Sequence, residues 1–215
     1  PHYYRIVGTL VDPGFTGLIL VLTLVFIVIN NYHKIWWIIV YVALALTYSR
    51  ASYLAFFTAF TWISYQRKSW KYFIVSASCV LLTVFLLPRW SDGEGVKLER
   101  TNSVWARIES WKTAWKIFSN NSIIGVGFNT YRYAQKASPE SHAGAGSDSS
   151  ILLVVATTGV LGLLFYLRYL KALWKLSTQH LALSTSLIAI FVHSWFLNSL
   201  FYPAVMLWIA LLIPA

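Results

Sequence analysis

Charged side chains interrupt this chain rarely and in groups. Six windows contain no Asp, Glu, Lys or Arg: 13–33, 35–49, 51–66, 72–88, 149–167 and 176–215. Together they make up more than half of the 215 residues. An α-helix rising ~1.5 Å per residue needs about 20 apolar residues to cross the hydrocarbon layer of a membrane, so each window predicts at least one spanning helix. The last window is long enough for two, folded back near Asn198 to Pro203, since proline starts a helix well and interrupts one badly. The two short windows around Ser49-Arg50 predict two short helices with a tight turn. One helix through 35–65 would be ~46 Å long, against a hydrocarbon core of about 30 Å. The pattern therefore predicts an all-α, multi-spanning helical membrane protein with about seven spans. Four lie in 1–87, one large loop fills 88–148, and three spans follow in 149–215.

Composition strengthens this reading. Charged residues are 11% of the chain, the hydrophobic set is 58%, and there are 11 Trp, 13 Tyr and 13 Phe, whereas a soluble domain carries about 25% charged residues. The net charge of +10 is spread without a continuous basic patch, so nucleic acid is not an expected partner and membrane lipids are. The single Cys79 excludes a disulfide framework and any cysteine-pair zinc site; it reads as a small buried hydrophobe. No metal-ligand pattern and no cofactor motif is present. Pro1-His2-Tyr3-Tyr4 does not resemble a signal peptide, and the chain stops while still apolar. Both ends read as cuts, and the expectation is a piece of a longer membrane protein.

Basic residues in short loops orient a membrane protein, because Lys and Arg are retained on the cytoplasmic side. The loop holding Arg67, Lys68 and Lys71 has no acid, nor does the one holding Arg168, Lys171 and Lys175. Both should be cytoplasmic, which puts 88–148 and Arg50 on the outer side. All seven acids fall on that side in this arrangement.

The outer loop carries the candidate chemistry. A helical pattern runs through 103–118 with Asn102 or Ser103 as a cap. Trp105, Ile108, Trp111, Trp115 and Phe118 fall on one face, with Glu109, Lys112 and Lys116 opposite, as in a helix lying in a membrane interface or packed on a bundle. Arg107 projects from the side of the apolar face. It is either an arginine reaching back to water or a guanidinium aimed at a phosphate, whose paired oxygens it matches. Gly125 and Gly127 form either a simple turn or a backbone cradle for a phosphate. His142 is the one histidine of the loop, hence a candidate base by elimination. Asp148 either caps the next helix or serves as a base. Arg50, between two short spans, is either a lipid-bonded turn arginine or a functional charge at membrane depth. His193 and Asn198 read as polar contacts between spans.

These residues fall into a familiar order. Ser49-Arg50-Ala51 resembles the Ser-Arg-Gly/Ala that follows a span in the bacterial O-antigen ligase and polymerase family. The stretch from Arg107-Ile108-Glu109-Ser110-Trp111 through Gly125-Val126-Gly127-Phe128 resembles that family's large periplasmic loop. Asp148-Ser149-Ser150-Ile151-Leu152, with Gly159 and Gly162, is similar to the opening of its next span. The resemblance covers nearly the whole chain, as the family's C-terminal half. It implies a C-type glycosyltransferase fold and a metal-independent enzyme without a cofactor. Such an enzyme transfers a glycan from an undecaprenyl-pyrophosphate carrier, at the periplasmic face, to lipid A–core, another glycan or another acceptor. Arg50 and Arg107 match the family's essential arginines, which implies that they bind the pyrophosphate. The family often has His-Asn eleven residues before the glycine matching Gly159. Here that position is Asp148-Ser149, with His142 six residues earlier, so either His142 reaches the site from the loop or Asp148 replaces the histidine.

The chemistry of the residues agrees with this. A departing pyrophosphate gains negative charge, which arginines stabilise most in the transition state, and an acceptor hydroxyl needs a positioned base. The rival class is a transporter or flippase of lipid-linked sugars. That would more naturally carry mid-span charges and repeated halves; here the charges sit at span ends beside a long loop.

Overall fold

Asp12 starts the first long helix. Its carboxylate accepts from the backbone N–H of Gly14 (2.7 Å) and Phe15 (3.0 Å), and Pro13 occupies the first helical position, where its missing N–H costs nothing. The computed structural model describes residues 5–88, 96–98, 101–135 and 146–213. Within them run α1 (Pro13–Ile29), α2 (Lys34–Ala45), α3 (Arg50–Gln66), α4 (Lys71–Leu86), α5 (Asn102–Asn120), α6 (Tyr131–Ala134), α7 (Ser150–Ser177), α8 (Leu181–His193) and α9 (Pro203–Leu212), and no strand is present among the described residues. The expected breaks at Arg50 and before Pro203 are both there. So is the loop helix, somewhat longer than 103–118; Thr101 precedes it, and Asn121 ends it.

Helix length tempers the expectation of about seven spans. By length and composition one helix among the described residues, the 28-residue α7, is long and apolar enough to cross a membrane. Pro13–Ile29, Lys34–Ala45, Lys71–Leu86, Leu181–His193 and Pro203–Leu212 are shorter apolar helices. The windows overstate helix length because their ends are spent on turns. Asn31 and Tyr48 sit at positive φ (55° and 50°) and stop α1 and the α2–α3 connection inside uncharged sequence.

The chain divides into two compact units. The first comprises Pro1–Arg100, Ser177–His193 and Pro203–Ala215. In it α3 packs on α8, α4 and α1. Leu18, Val21, Leu22 and Val25 of α1, Phe56, Ala59, Phe60 and Ile63 of α3, and Ala189 and Ile190 of α8 are buried. Large apolar side chains also point outward: Trp36 and Ile39 on α2 and Leu81 and Phe85 on α4 are exposed, Phe85 by 78%. Such a surface is costly in water and cheap in lipid.

The second unit comprises Thr101–Leu176 and Ser194–Tyr202. Its core is Ala114 and Ile117 of α5, Tyr131 of α6, and Leu153 and Ala156 of α7. Gly159 (φ 65°, ψ −163°) breaks α7 internally. The break removes helical partners from two carbonyls and two N–H groups, and all four find partners in the 122–127 segment. Val126 N donates to Ala156 O (3.2 Å) and Gly127 N to Thr157 O (2.8 Å), while Val160 N and Leu161 N donate to Ser122 O (2.8 Å) and Ile123 O (3.3 Å). The close approach demands glycine on both sides. A Cβ at Gly159 would stand 2.3 Å from Ile123 O, and one at Gly125 2.4 Å from Thr157 C. The glycines of the Gly-Val-Gly-Phe run therefore splice a loop into a broken helix. With its N–H committed to Thr157, Gly127 does not form the phosphate cradle that was one of its two readings.

Candidate active site

In the first unit the site is built around the start of α3. Ser49 is the N-cap, its hydroxyl accepting from Ser52 N at 3.4 Å, and Arg50 is the first helical residue. The turn before it is held on several sides. Arg5 donates through Nε to Thr47 O (2.8 Å) and through Nη2 to Tyr48 O (3.4 Å), and the Tyr48 hydroxyl donates to Pro88 O (2.8 Å). Arg50 is half-buried and donates through Nη1 to Leu98 O at 3.1 Å. A cation on the first turn of a helix faces the positive end of the helix dipole, an arrangement that costs stability and attracts an anion. Arg50 also lines a pocket of about 400 Å³ whose other walls are Tyr53, Leu54, Phe57, Val80, Val84 and Leu98. This is an apolar groove between α3 and α4 with a guanidinium in its lining.

In the second unit the packed face of α5 differs from the Trp stripe expected. Ala114 and Ile117 are buried, while Trp105 and Trp115 are 62% and 60% exposed. The packed stripe runs Arg107, Ser110, Trp111, Ala114, Ile117 and Phe118, a spacing of three and four residues. Tryptophan's size drew the predicted face to one side; small Ala114 and Ser110 are what let α5 approach its neighbours. Arg107 is consequently half-buried on the packed side, its guanidinium 5.8 Å from the centre of the Phe196 ring, within cation–π range.

Three segments converge around that stripe. Asp148 N donates to Ser110 Oγ (3.1 Å), one turn along α5 from Arg107. The cap of α7 is Ser149, whose hydroxyl accepts from Leu152 N (3.5 Å), so the capping role open to Asp148 is taken by its neighbour. The 194–202 segment lies on the same helix start: Ser150 N donates to Ser194 O (2.9 Å), and Leu200 N donates to Ser150 Oγ (3.2 Å). Gly146 leaves room for Leu153 and the Asn198 amide. The Tyr131 hydroxyl is buried beside Ser147 and Asp148. Burial pushes it up to about 12, and the Asp148 charge adds to the rise. It is thus a proton donor throughout the physiological range. Trp111 Nε1, Asn198 Oδ1 and the Tyr131 hydroxyl are buried here with no hydrogen-bond partner, polar groups left unmatched in one place.

Of the four residues singled out from sequence, Arg50 belongs to the first unit, and Arg107 and Asp148 share the second. His142 lies outside the described residues. Tyr131, Phe196 and Asn198 were missed as site residues. The signal that could have found them is position alone: each sits in an uncharged or turn segment flanking the residues already suspected.

The O-antigen ligase family model matches residues 35–167, from the start of α2 into α7, which takes in Arg50, Arg107 and Asp148. The chain belongs to the O-antigen ligase family. No curated protein and no solved structure matches it at a significant level. Members of the O-antigen ligase family are membrane-associated and act in glycan transfer for O-antigen biosynthesis, with a lipid-linked glycan as donor.

Proposed function

We propose that this O-antigen ligase family member transfers a glycan from an undecaprenyl-pyrophosphate carrier to a lipid A–core, glycan or other acceptor at the periplasmic face of the inner membrane. We take it to be multi-pass there, with 88–148 outside. The observation that carries the proposal is the α3–α4 groove, in which an arginine stands among Leu54, Phe57, Val80 and Val84. A polyprenyl chain would lie along the apolar walls and its pyrophosphate would meet Arg50. Arg107 is the second arginine assigned to the pyrophosphate.

In the reaction the acceptor hydroxyl oxygen attacks the anomeric carbon of the donor sugar. The bond from that carbon to the pyrophosphate oxygen breaks, and its electron pair leaves with the lipid pyrophosphate. Guanidinium groups favour this step because the leaving oxygen carries more charge in the transition state than in the ground state. The hydroxyl proton goes to a base, Asp148 or His142. Asp148 is supported by its place beside Ser110 and Tyr131, and by Ser149's taking the cap. Trp111 Nε1 and Asn198 Oδ1 offer a donor and an acceptor suited to sugar hydroxyls.

The test is to fill the groove. Val84→Trp and Leu54→Trp should raise the donor KM in a membrane transfer assay and leave the acceptor KM unchanged. Unaltered donor dependence in both variants would remove the groove from the donor site. A protein that moves the intact lipid-linked donor across vesicles without cleaving it would instead be the transporter.

A further inference from the structure

His193 ends α8 fully buried in the first unit, and the reaction gives it no part. Its Nε2 lies 3.3 Å from Ser52 Oγ. The same oxygen lies 3.2 Å from Gly14 O and 2.8 Å from Ser49 Oγ. Ser52 and His193 are both 0% exposed and Ser49 is 4% exposed. One hydroxyl therefore joins the first turn of α1, the cap and first turn of α3, and the last residue of α8. One hydroxyl has one proton: where Ser52 donates it to Gly14 O, it accepts from His193 Nε2–H and from the Ser49 hydroxyl, and where it donates to Ser49 or to His193, the Gly14 carbonyl loses that bond. The packing around it is close: a Cβ at Gly17 would stand 2.4 Å from Ser52 Oγ.

Ser49 and Ser52 bracket Arg50 in the chain, and Ser49 both caps α3 and touches the hub. We propose that His193 is a positioning residue for Arg50. Through Ser52 it locks the cap and first turn of α3, and thereby fixes the direction in which the Arg50 guanidinium meets an anion. The inference rests on the reading of Arg50 as a donor-binding residue for its consequence in the reaction, though not for the structural link itself. A buried polar network of this kind specifies one arrangement because every alternative leaves a group unsatisfied.

Two readouts separate these layers, both in the full-length protein in membranes. The first is structural. In an Arg50→Cys, Cys79→Ala background, the rate of labelling by a membrane-impermeant thiol reagent reports the exposure of position 50. His193→Ala should raise that rate about fivefold, the shift expected from one buried hydrogen bond. His193→Gln, whose side-chain amide restores an N–H near Nε2, should return it to the parent value. The second readout is transfer with Arg50 present, where His193→Ala should raise the donor KM by a similar factor, leave the acceptor KM unmoved, and be rescued by His193→Gln. Labelling that is unchanged in His193→Ala, Gln behaving like Ala, or both KM values moving together would overturn the proposal. If the parent protein transfers no glycan, the proposed function falls while the labelling result still decides the positioning role. If His193→Ala does not accumulate, Ser52→Ala removes the same hub and must give the same rise in labelling; no rise overturns the proposal.

Discussion

Arg50 and Arg107 reach similar burial by opposite routes. Arg50 stands at a helix start, where an N-cap serine, a positive-φ tyrosine and three long-range hydrogen bonds fix the backbone before the side chain is placed. Arg107 sits within a helix, placed by the stripe of small and apolar residues that follows it and by the face of Phe196. The first arrangement is held by side chains and can relax by rotating them. The second depends on α5 and α7 packing through Ala114, Ile117 and Ala156, and so on the backbone splice at Gly159. A change that only removes a side-chain contact should therefore be mild in the first unit, whereas one that adds a single methyl to the splice should be severe in the second.

Glycine substitutions test this most strongly. Gly159→Ala adds a Cβ 2.3 Å from a backbone oxygen at a φ,ψ pair open essentially only to glycine, costing roughly 1–3 kcal/mol in dihedral strain before the overlap is counted. The detergent-purified variant should melt well below the parent or fail to accumulate. Gly17→Ala, whose Cβ would meet Ser52 Oγ at 2.4 Å and Ser52 Cβ at 2.8 Å, should lower the melting temperature less, because Gly17 lies within α1 at an ordinary helical φ and the new residue carries no dihedral strain. Equal losses in the two would break the comparison.

The residues around Asp148 give effects of intermediate size on activity and small ones on stability. As the base, Asp148→Ala should lower transfer about 10²–10⁴-fold with little change in melting temperature. Ser149→Ala should do the reverse, losing about 1 kcal/mol of stability as a lost cap while keeping its turnover. Full activity in Asp148→Ala would hand the role to His142, and the same two assays on His142→Ala would then decide it. Smallest of all, Trp115→Phe on the exposed face of α5 should leave turnover and melting temperature within about 0.5 kcal/mol of the parent. A large loss there would mean that the Trp face, and not the Arg107 stripe, is the working one.

The first unit was readable because the signal there is the absence of charge. Windows without Asp, Glu, Lys or Arg mark α1, α2, α3, α4, α8 and α9, and Asp12, Pro13 and Pro203 mark helix starts by their backbone chemistry. What the windows overstate is length, since the turns at Asn31 and Tyr48 fall inside uncharged windows and carry no glycine. In the second unit the deciding features leave weaker traces. Gly125 and Gly159 lie 34 positions apart and look like ordinary flexible residues until each is seen to occupy the space a side chain of the other's segment would need. The packed face of α5 is marked by small residues, which add little to a hydrophobic pattern that tryptophan dominates. Arg50, Arg107 and Asp148 were legible as unusual charges in an uncharged chain. Tyr131 and Asn198 were not, because only the fold brings them to the segment that carries Asp148.

The central claim is that Arg50 binds the donor's pyrophosphate with the planar, paired donors that only a guanidinium supplies. Arg50→Lys keeps the charge and removes that fork. Its most direct measurement is kcat/KM for transfer from a lipid-linked donor in membranes, at matched protein levels, against the parent protein. Losing one charge-assisted bond to phosphate, worth roughly 1.5–3 kcal/mol, predicts a fall of about 10–150-fold. A parent-like kcat/KM in Arg50→Lys would contradict the account.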